Sequence, residues 1–212
     1  MSEKKAPNGW HYHKNGGGLV QNTARVSESA WVSESARVSG SAVVSEFARV
    51  SGSARVFGAA VVYGSAVVSE SARVAGSAVV SGLARVSGSA VVSGSAWVSE
   101  SARVSGSARV AGSARIFGSA VVFGDARIYG SAVVYGSAWP SSPLYIQGSR
   151  HPLYTPSHGR LRIGCEDHTI AEWVVGCEKI ATANGYTESE IEEYAMYIAI
   201  AAVLDAQRSE GD

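Results

Sequence analysis

Cysteine is scarce: two residues in 212 leave no disulfide framework and suit a reducing compartment. Net charge is missing too. Lysine plus arginine is 18 and aspartate plus glutamate is 18, so a chain-wide polyanion footprint is not expected, although a local one can hide in a neutral total. No apolar run approaches the roughly 18–20 residues that span a bilayer, so no membrane partner is expected. Residues 1–18 carry charge but no apolar stretch, and no secretory signal is expected there. No histidine lies between His13 and His151, and no lysine between 24 and 140. Charged residues make up 17 % and hydrophobic residues 46 %, which excludes wholesale disorder. The composition describes a soluble, cytoplasmic protein.

What is present is a period of six. Alanine recurs at every sixth position from Ala24 to Ala138, twenty times without insertion or deletion. Two residues after each stands Val or Ile, from Val26 to Val134, and at the twentieth place Pro140 ends the pattern. In a strand, residues two apart point the same way, so each Ala and its Val share a face. One hexamer cannot bury that face; stacked hexamers can, by winding into a prism with flat sides.

The unit V-x-G/E-x-A-x over 24–140 resembles the hexapeptide repeat of left-handed parallel β-helices. The resemblance implies three hexamers per triangular coil, six to seven coils, and both repeating positions turned inward. It departs in placing Gly or Glu two residues after the aliphatic, where the commonest family pattern has Gly one residue after. Beyond the repeat, W-H-x-H-x-N-G-G-G at 10–18, I-Q-G-S-R-H at 146–151, I-G-C at 163–165, H-T-I-x-E-W at 168–173 and G-Y-T-x-x-E-I-x-E-Y at 185–194 resemble phage and bacterial hexapeptide-repeat proteins of unestablished function. The expected fold is therefore mainly β: an N-terminal cap over 1–23, the β-helix over 24–140, and a small α+β module over 141–212.

A coil of eighteen residues sorts the outward positions into three sides. The first carries Arg25, Val43, Val61, Val79, Trp97, Arg115 and Val133, with Tyr63, Phe117 and Tyr135 beside them. An apolar outer face reads as a contact surface, and the resemblance implies a homotrimer packed along one face. The second side mixes Trp31 and Trp139 with Arg49, Arg85 and Arg103. The third is an arginine ladder, Arg37, Arg55, Arg73, Arg109 and Arg127, interrupted only by Val91. Like charges stacked about 4.8 Å apart repel unless neutralised, so the ladder is either screened by solvent or a stripe for an anionic ligand or acidic protein surface. Only Phe57 and Tyr129 interleave with it, which makes nucleic acid the less favoured partner. Residues 24–140 hold ten arginines against six acids, and 141–212 five bases against eleven acids.

The tail changes character. Four of the five prolines fall within 140–168, where Leu144–Ile146, Leu153–Tyr154 and Leu161–Cys165 suggest short strands. Thr169 can cap a helix with Ile170, Trp173, Val174, Cys177, Ile180 and Ala181 on one face, stopped at Gly185. Thr187 and Glu190 form a capping-box signature before a second helix burying Ile191, Tyr194, Ile198, Ala201 and Ala202. The polar cluster Gln147, Gly148, Ser149, Arg150 and His151 could form a pocket near Cys165.

Relatives of this fold that transfer acyl groups use a histidine and often an extruded loop, and carbonic-anhydrase relatives use three interface histidines. The coils offer none of these, so neither catalysis nor a cofactor is expected there. His11 and His13 alternate on an extended run, too few for a metal alone. In the tail, Cys165 and His168 lie three apart and His151 could approach them, which leaves metal, thiol chemistry and plain packing open. The expected function is a non-catalytic, homotrimeric interaction protein, phage-encoded, in the bacterial host cytoplasm or on the virion. Its partner would meet the arginine ladder, Arg150 and His151, or the helical hairpin. The alternatives are an inhibitor of a host defence factor, a protein that sequesters an anionic nucleotide, and an enzyme with a C-terminal His/Cys site.

Overall fold

The computed structural model describes residues 5–136, 138–139 and 142–209. The chain divides into two compact units, with the main break between Ser142 and Pro143. Pro140, where the repeat was expected to end, lies outside the described residues.

The first unit is a parallel β-solenoid of about six turns. Each hexamer contributes one short strand, and strands eighteen residues apart pair in parallel. Arg55–Val56 pairs Arg73–Val74, which pairs Val91–Val92, which pairs Arg109–Val110. The ladder bonds are regular: the Arg55 N–H donates to the Ala72 carbonyl at 2.9 Å and the Phe57 N–H to Val74 at 3.0 Å. Every repeat alanine from Ala30 to Ala132 and every aliphatic from Val32 to Val134 is buried. Alanine holds the second inward position because a column this narrow, close-packed throughout, has no room for a second branched side chain at each rung.

The corners explain the Gly/Glu alternation. Corner glycines such as Gly76 sit at φ +70, and a Cβ there would stand 2.9 Å from the Gly94 carbonyl oxygen of the next coil. Glu34, Glu46, Glu70 and Glu100 nevertheless adopt φ of 58–60. That conformation costs an L-residue about 1–2 kcal/mol. Glu70 offsets part of this by accepting a hydrogen bond from the Gly88 N–H (2.9 Å), and Glu100 from Gly118 (3.0 Å). Each of the four left-handed glutamates is followed one coil later by glycine, at Gly52, Gly64, Gly88 and Gly118.

Both ends of the column depart from the repeat. Trp10–Tyr12 and Leu19–Gln21 form an antiparallel hairpin, and the second strand pairs in parallel with Arg37–Val38. The hairpin thus extends the third side by two strands. The glycine run permits its close approach, since a Cβ on Gly16 would lie 2.6 Å from the Val32 carbonyl oxygen. His11 and His13 go to separate partners: His11 Nδ1 to Asn22 Oδ1 at 3.1 Å, and buried His13 Nε2 to the Ala30 carbonyl at 3.0 Å. At the other end the register slips by one. Ala138 pairs Val121 and Trp139 pairs Val122, and the Phe123 N–H donates to the Trp139 carbonyl. A slip of one residue turns side chains to the other face. Trp139, expected on the outside of the second side, is therefore 1 % exposed on the core side.

The second unit is an antiparallel four-stranded meander, Tyr145–Gln147, Pro152–Tyr154, Arg160–Ile163 and Glu166–Thr169, followed by helix α1 (Ile170–Ala183) and helix α2 (Glu188–Ser209). Leu153, Leu161, Ile163, Ile170, Trp173, Tyr194, Ile198 and Ala201 make its core. Thr169 caps α1 in a reciprocal box with Glu172, and Thr187 and Glu190 do the same ahead of α2. Val174, expected on the buried face of α1, is exposed instead, and Val175 is 90 % exposed.

Candidate functional site

The third side of the solenoid carries the arginines in strict register. Arg37 pairs Arg55 and Arg55 pairs Arg73; Val91 then stands between Arg73 and Arg109, and Arg109 pairs Arg127. All five are exposed. Among the described residues none of them makes an ion pair; the salt bridges there belong to Arg150, Arg160 and His168 in the second unit. The glutamates nearest in sequence, Glu34, Glu46, Glu70 and Glu100, stand at corners, and Glu70 is engaged by the Gly88 amide.

The N-terminal hairpin adds an element that the repeat alone does not reveal. Trp10 lies on the outer face of the same sheet and, with Arg37, Ser39, Arg55, Phe57 and Arg73, lines a groove of about 220 Å3. A smaller hollow beside it is bounded by Pro7, Trp10, Leu19 and Arg37. The Arg73 guanidinium stands over the Phe57 ring, 5.9 Å from its centre. Trp10 was expected only as part of a cap. The signal that could have placed it is the alternation W-H-Y before a glycine run and L-V-Q, which is a hairpin pattern.

The first side is apolar as expected from the spacing. Val43, Val61, Tyr63, Val79, Phe117, Val133 and Tyr135 are half-buried, and Trp97 is 43 % exposed. Phe117 and Tyr135 stack at 5.6 Å, and Arg115 stands over the Trp97 ring at 5.6 Å.

The second unit contains a cavity of about 150 Å3 lined by Arg150, His151, Cys165, Glu166, Cys177 and Tyr186 among others. The structure therefore brings Arg150, His151 and Cys165 together. Arg150 is already engaged: its Nη1 donates to the Gly185 carbonyl (2.7 Å), its Nη2 to Asn184 (3.2 Å), and its plane lies 4.6 Å from the Tyr186 ring. It fastens the turn between α1 and α2. The 147–151 turn is held by Tyr194, whose hydroxyl accepts from the His151 N–H (2.6 Å) and donates to the His151 carbonyl (2.7 Å). A Cβ on Gly148 would stand 2.5 Å from that hydroxyl. Ser149 donates its N–H to Glu193, and the Gln147 side chain accepts from the Tyr145 hydroxyl and donates to the Gly148 carbonyl.

His168 does not join Cys165 and His151. It bonds Glu166 at 3.0 Å and meets the Trp173 ring edge-on. Among the described residues no three His, Cys, Asp or Glu side chains are placed to hold a metal ion. Burial pushes the Cys177 thiol up, with Glu178 adding to the shift, so its nucleophilic thiolate is disfavoured. On α2, Met196, Ile200 and Val203 form an exposed apolar stripe at helical spacing. Among the described residues no helix is long and apolar enough to cross a membrane.

Parallel coils of inward Ala and Val define a repeat β-solenoid protein. A family model for the YdcK β-solenoid repeat matches residues 48–64, 84–100 and 120–136. Successive matches begin 36 residues apart, which is two full coils, so the matched positions fall on the same side each time. Neither the curated proteins nor the solved structures contain a match to the chain.

Proposed function

We propose that this protein is a non-catalytic, homotrimeric interaction scaffold that binds an anionic partner along its arginine side. It would be phage-encoded, working in the bacterial host cytoplasm or on the virion. The observation that carries the reading is the in-register ladder of exposed arginines, which have no ion-pair partner among the described residues. Guanidinium groups stacked on successive rungs repel one another, and an anion laid along them relieves that repulsion while gaining charge-assisted hydrogen bonds. The apolar first side supports self-association: a three-fold contact is closed and does not propagate.

The test has two arms. Arg55→Glu, Arg73→Glu and Arg109→Glu together should abolish salt-dependent retention on a polyanion matrix; unchanged retention removes the ladder reading. Light scattering should give three times the chain mass, and Val61→Glu with Val79→Glu should give one. The exposed Met196, Ile200 and Val203 stripe favours a second reading, in which α2 docks a protein partner. Ile200→Glu would then remove a pull-down partner that the arginine variant retains.

A further inference from the structure

We propose that the groove at the N-terminal end of the arginine side is a binding site for a nucleoside polyphosphate. The base would stack on Trp10 and the phosphates would lie across Arg37, Arg55 and Arg73. This deepens the anionic-partner reading and rests on it.

The groove combines guanidinium groups and aromatic rings over three consecutive rungs, whereas further along the ladder a ring recurs beside arginine at Tyr129 alone. Three consecutive rungs present guanidinium groups, a strip about two strand spacings of 4.8 Å long. Guanidinium is the side chain best matched to phosphate oxygens, through paired N–H donors. Two rings flank the strip: Trp10 at its head and Phe57 within it. Phe57 lies under Arg73 and so orients its donors. Ser39 adds a hydroxyl to the same groove.

The distribution along the ladder selects the size of the ligand. Beyond Phe57 the corresponding residues are Ala75, Ser93, Ala111 and Tyr129, and Val91 breaks the run of charge between Arg73 and Arg109. A single strand of nucleic acid needs stacking platforms repeated along its path. Two rings and three unbroken charges coincide over the first three rungs, and Val91 separates them from the single ring Tyr129 at the far end, which fits one nucleotide rather than a strand. An acidic peptide would satisfy the arginines but leave the Trp10 face without a planar partner.

The experiment is titration calorimetry with four probes: ATP, GTP, inorganic tripolyphosphate and a twelve-residue oligothymidylate. The expected result is ATP or GTP binding at least about tenfold tighter than tripolyphosphate, since stacking on a ring adds to the phosphate contacts. Trp10→Ala should reduce nucleotide affinity to the tripolyphosphate level and leave tripolyphosphate unchanged. Trp10→Phe, which keeps a ring, should retain most of the affinity and guards against a folding defect in the hairpin. Arg55→Glu with Arg73→Glu should abolish both.

Equal affinity for nucleotide and tripolyphosphate, no binding of either, or an unaltered Trp10→Ala variant overturns the proposal. So does an oligonucleotide that binds more tightly than ATP and is weakened by Arg109→Glu and Arg127→Glu. In these outcomes the broader anionic reading still stands if the triple arginine variant loses retention on the polyanion matrix. It fails separately if that variant behaves like the parent.

Discussion

The solenoid and the C-terminal unit solve the same packing problem in opposite ways. In the solenoid, one pair of inward residues serves every rung, and each strand pairs a strand of the same kind. In the C-terminal unit each contact is made once. Tyr194 holds both the N–H and the carbonyl of His151, and Arg150 fastens the turn between the helices. The first design spreads stability over nearest-neighbour interfaces, as expected for a repeat array. The second concentrates it in a few side chains, so it should fail at single points.

The sharpest break of that comparison is Tyr194→Ala. Truncating a buried aromatic costs about 3–5 kcal/mol, and here the 147–151 turn also loses its anchor. Thermal unfolding followed by circular dichroism should show the helical signal lost at lower temperature, with the β signal retained. Ala84→Leu tests the other side. Overpacking a tight core costs about 1–3 kcal/mol, and hydrogen exchange should show the opening confined to the coils around residue 84.

A finer contrast lies in the corners. Gly76→Ala should cost about 1–2 kcal/mol, because the left-handed backbone penalises any Cβ and the added atom meets the Gly94 carbonyl oxygen. Glu70→Gly should change stability less, since relief of strain offsets the lost bond to Gly88. Urea denaturation separates the two.

The smallest effect is that of pH. Hydrogen bonds from Thr169, Thr187 and Ser149 hold Glu172, Glu190 and Glu193 below the usual carboxylate range. A carboxylate more acidic in the folded state stabilises above its ordinary value, and that contribution is lost as pH falls through the folded value. Melting of the C-terminal unit should therefore soften on acidification into and below the usual glutamate range. Glu190→Gln should flatten part of that slope.

The same contrast decides what the sequence made legible. The period of six assigned the inward positions and the three sides, because alternation leaves no choice of face once the register is set. The caps Thr169 and Thr187 were readable because capping is local chemistry. What escaped depends on departures from the repeat or on contacts across the fold. Trp139 escaped because its register slip places it in the core. The strand Glu166–Thr169 escaped because E-D-H-T has no apolar alternation, and it forms by pairing with Arg160–Ile163. Trp10 escaped because its place on the arginine side follows from the hairpin joining that sheet.

The phase of the column has a consequence for how such a chain can change. Deleting a single hexamer would leave each inward Ala and Val in place, yet everything downstream would rotate onto the neighbouring wall. Downstream valines would then stand where arginines are expected, and both outer surfaces would be scrambled without any loss in the interior. Only whole circuits of eighteen can be gained or lost with the exterior kept in order. The length of this column is thereby quantised by the order of its walls, not by what its centre can hold.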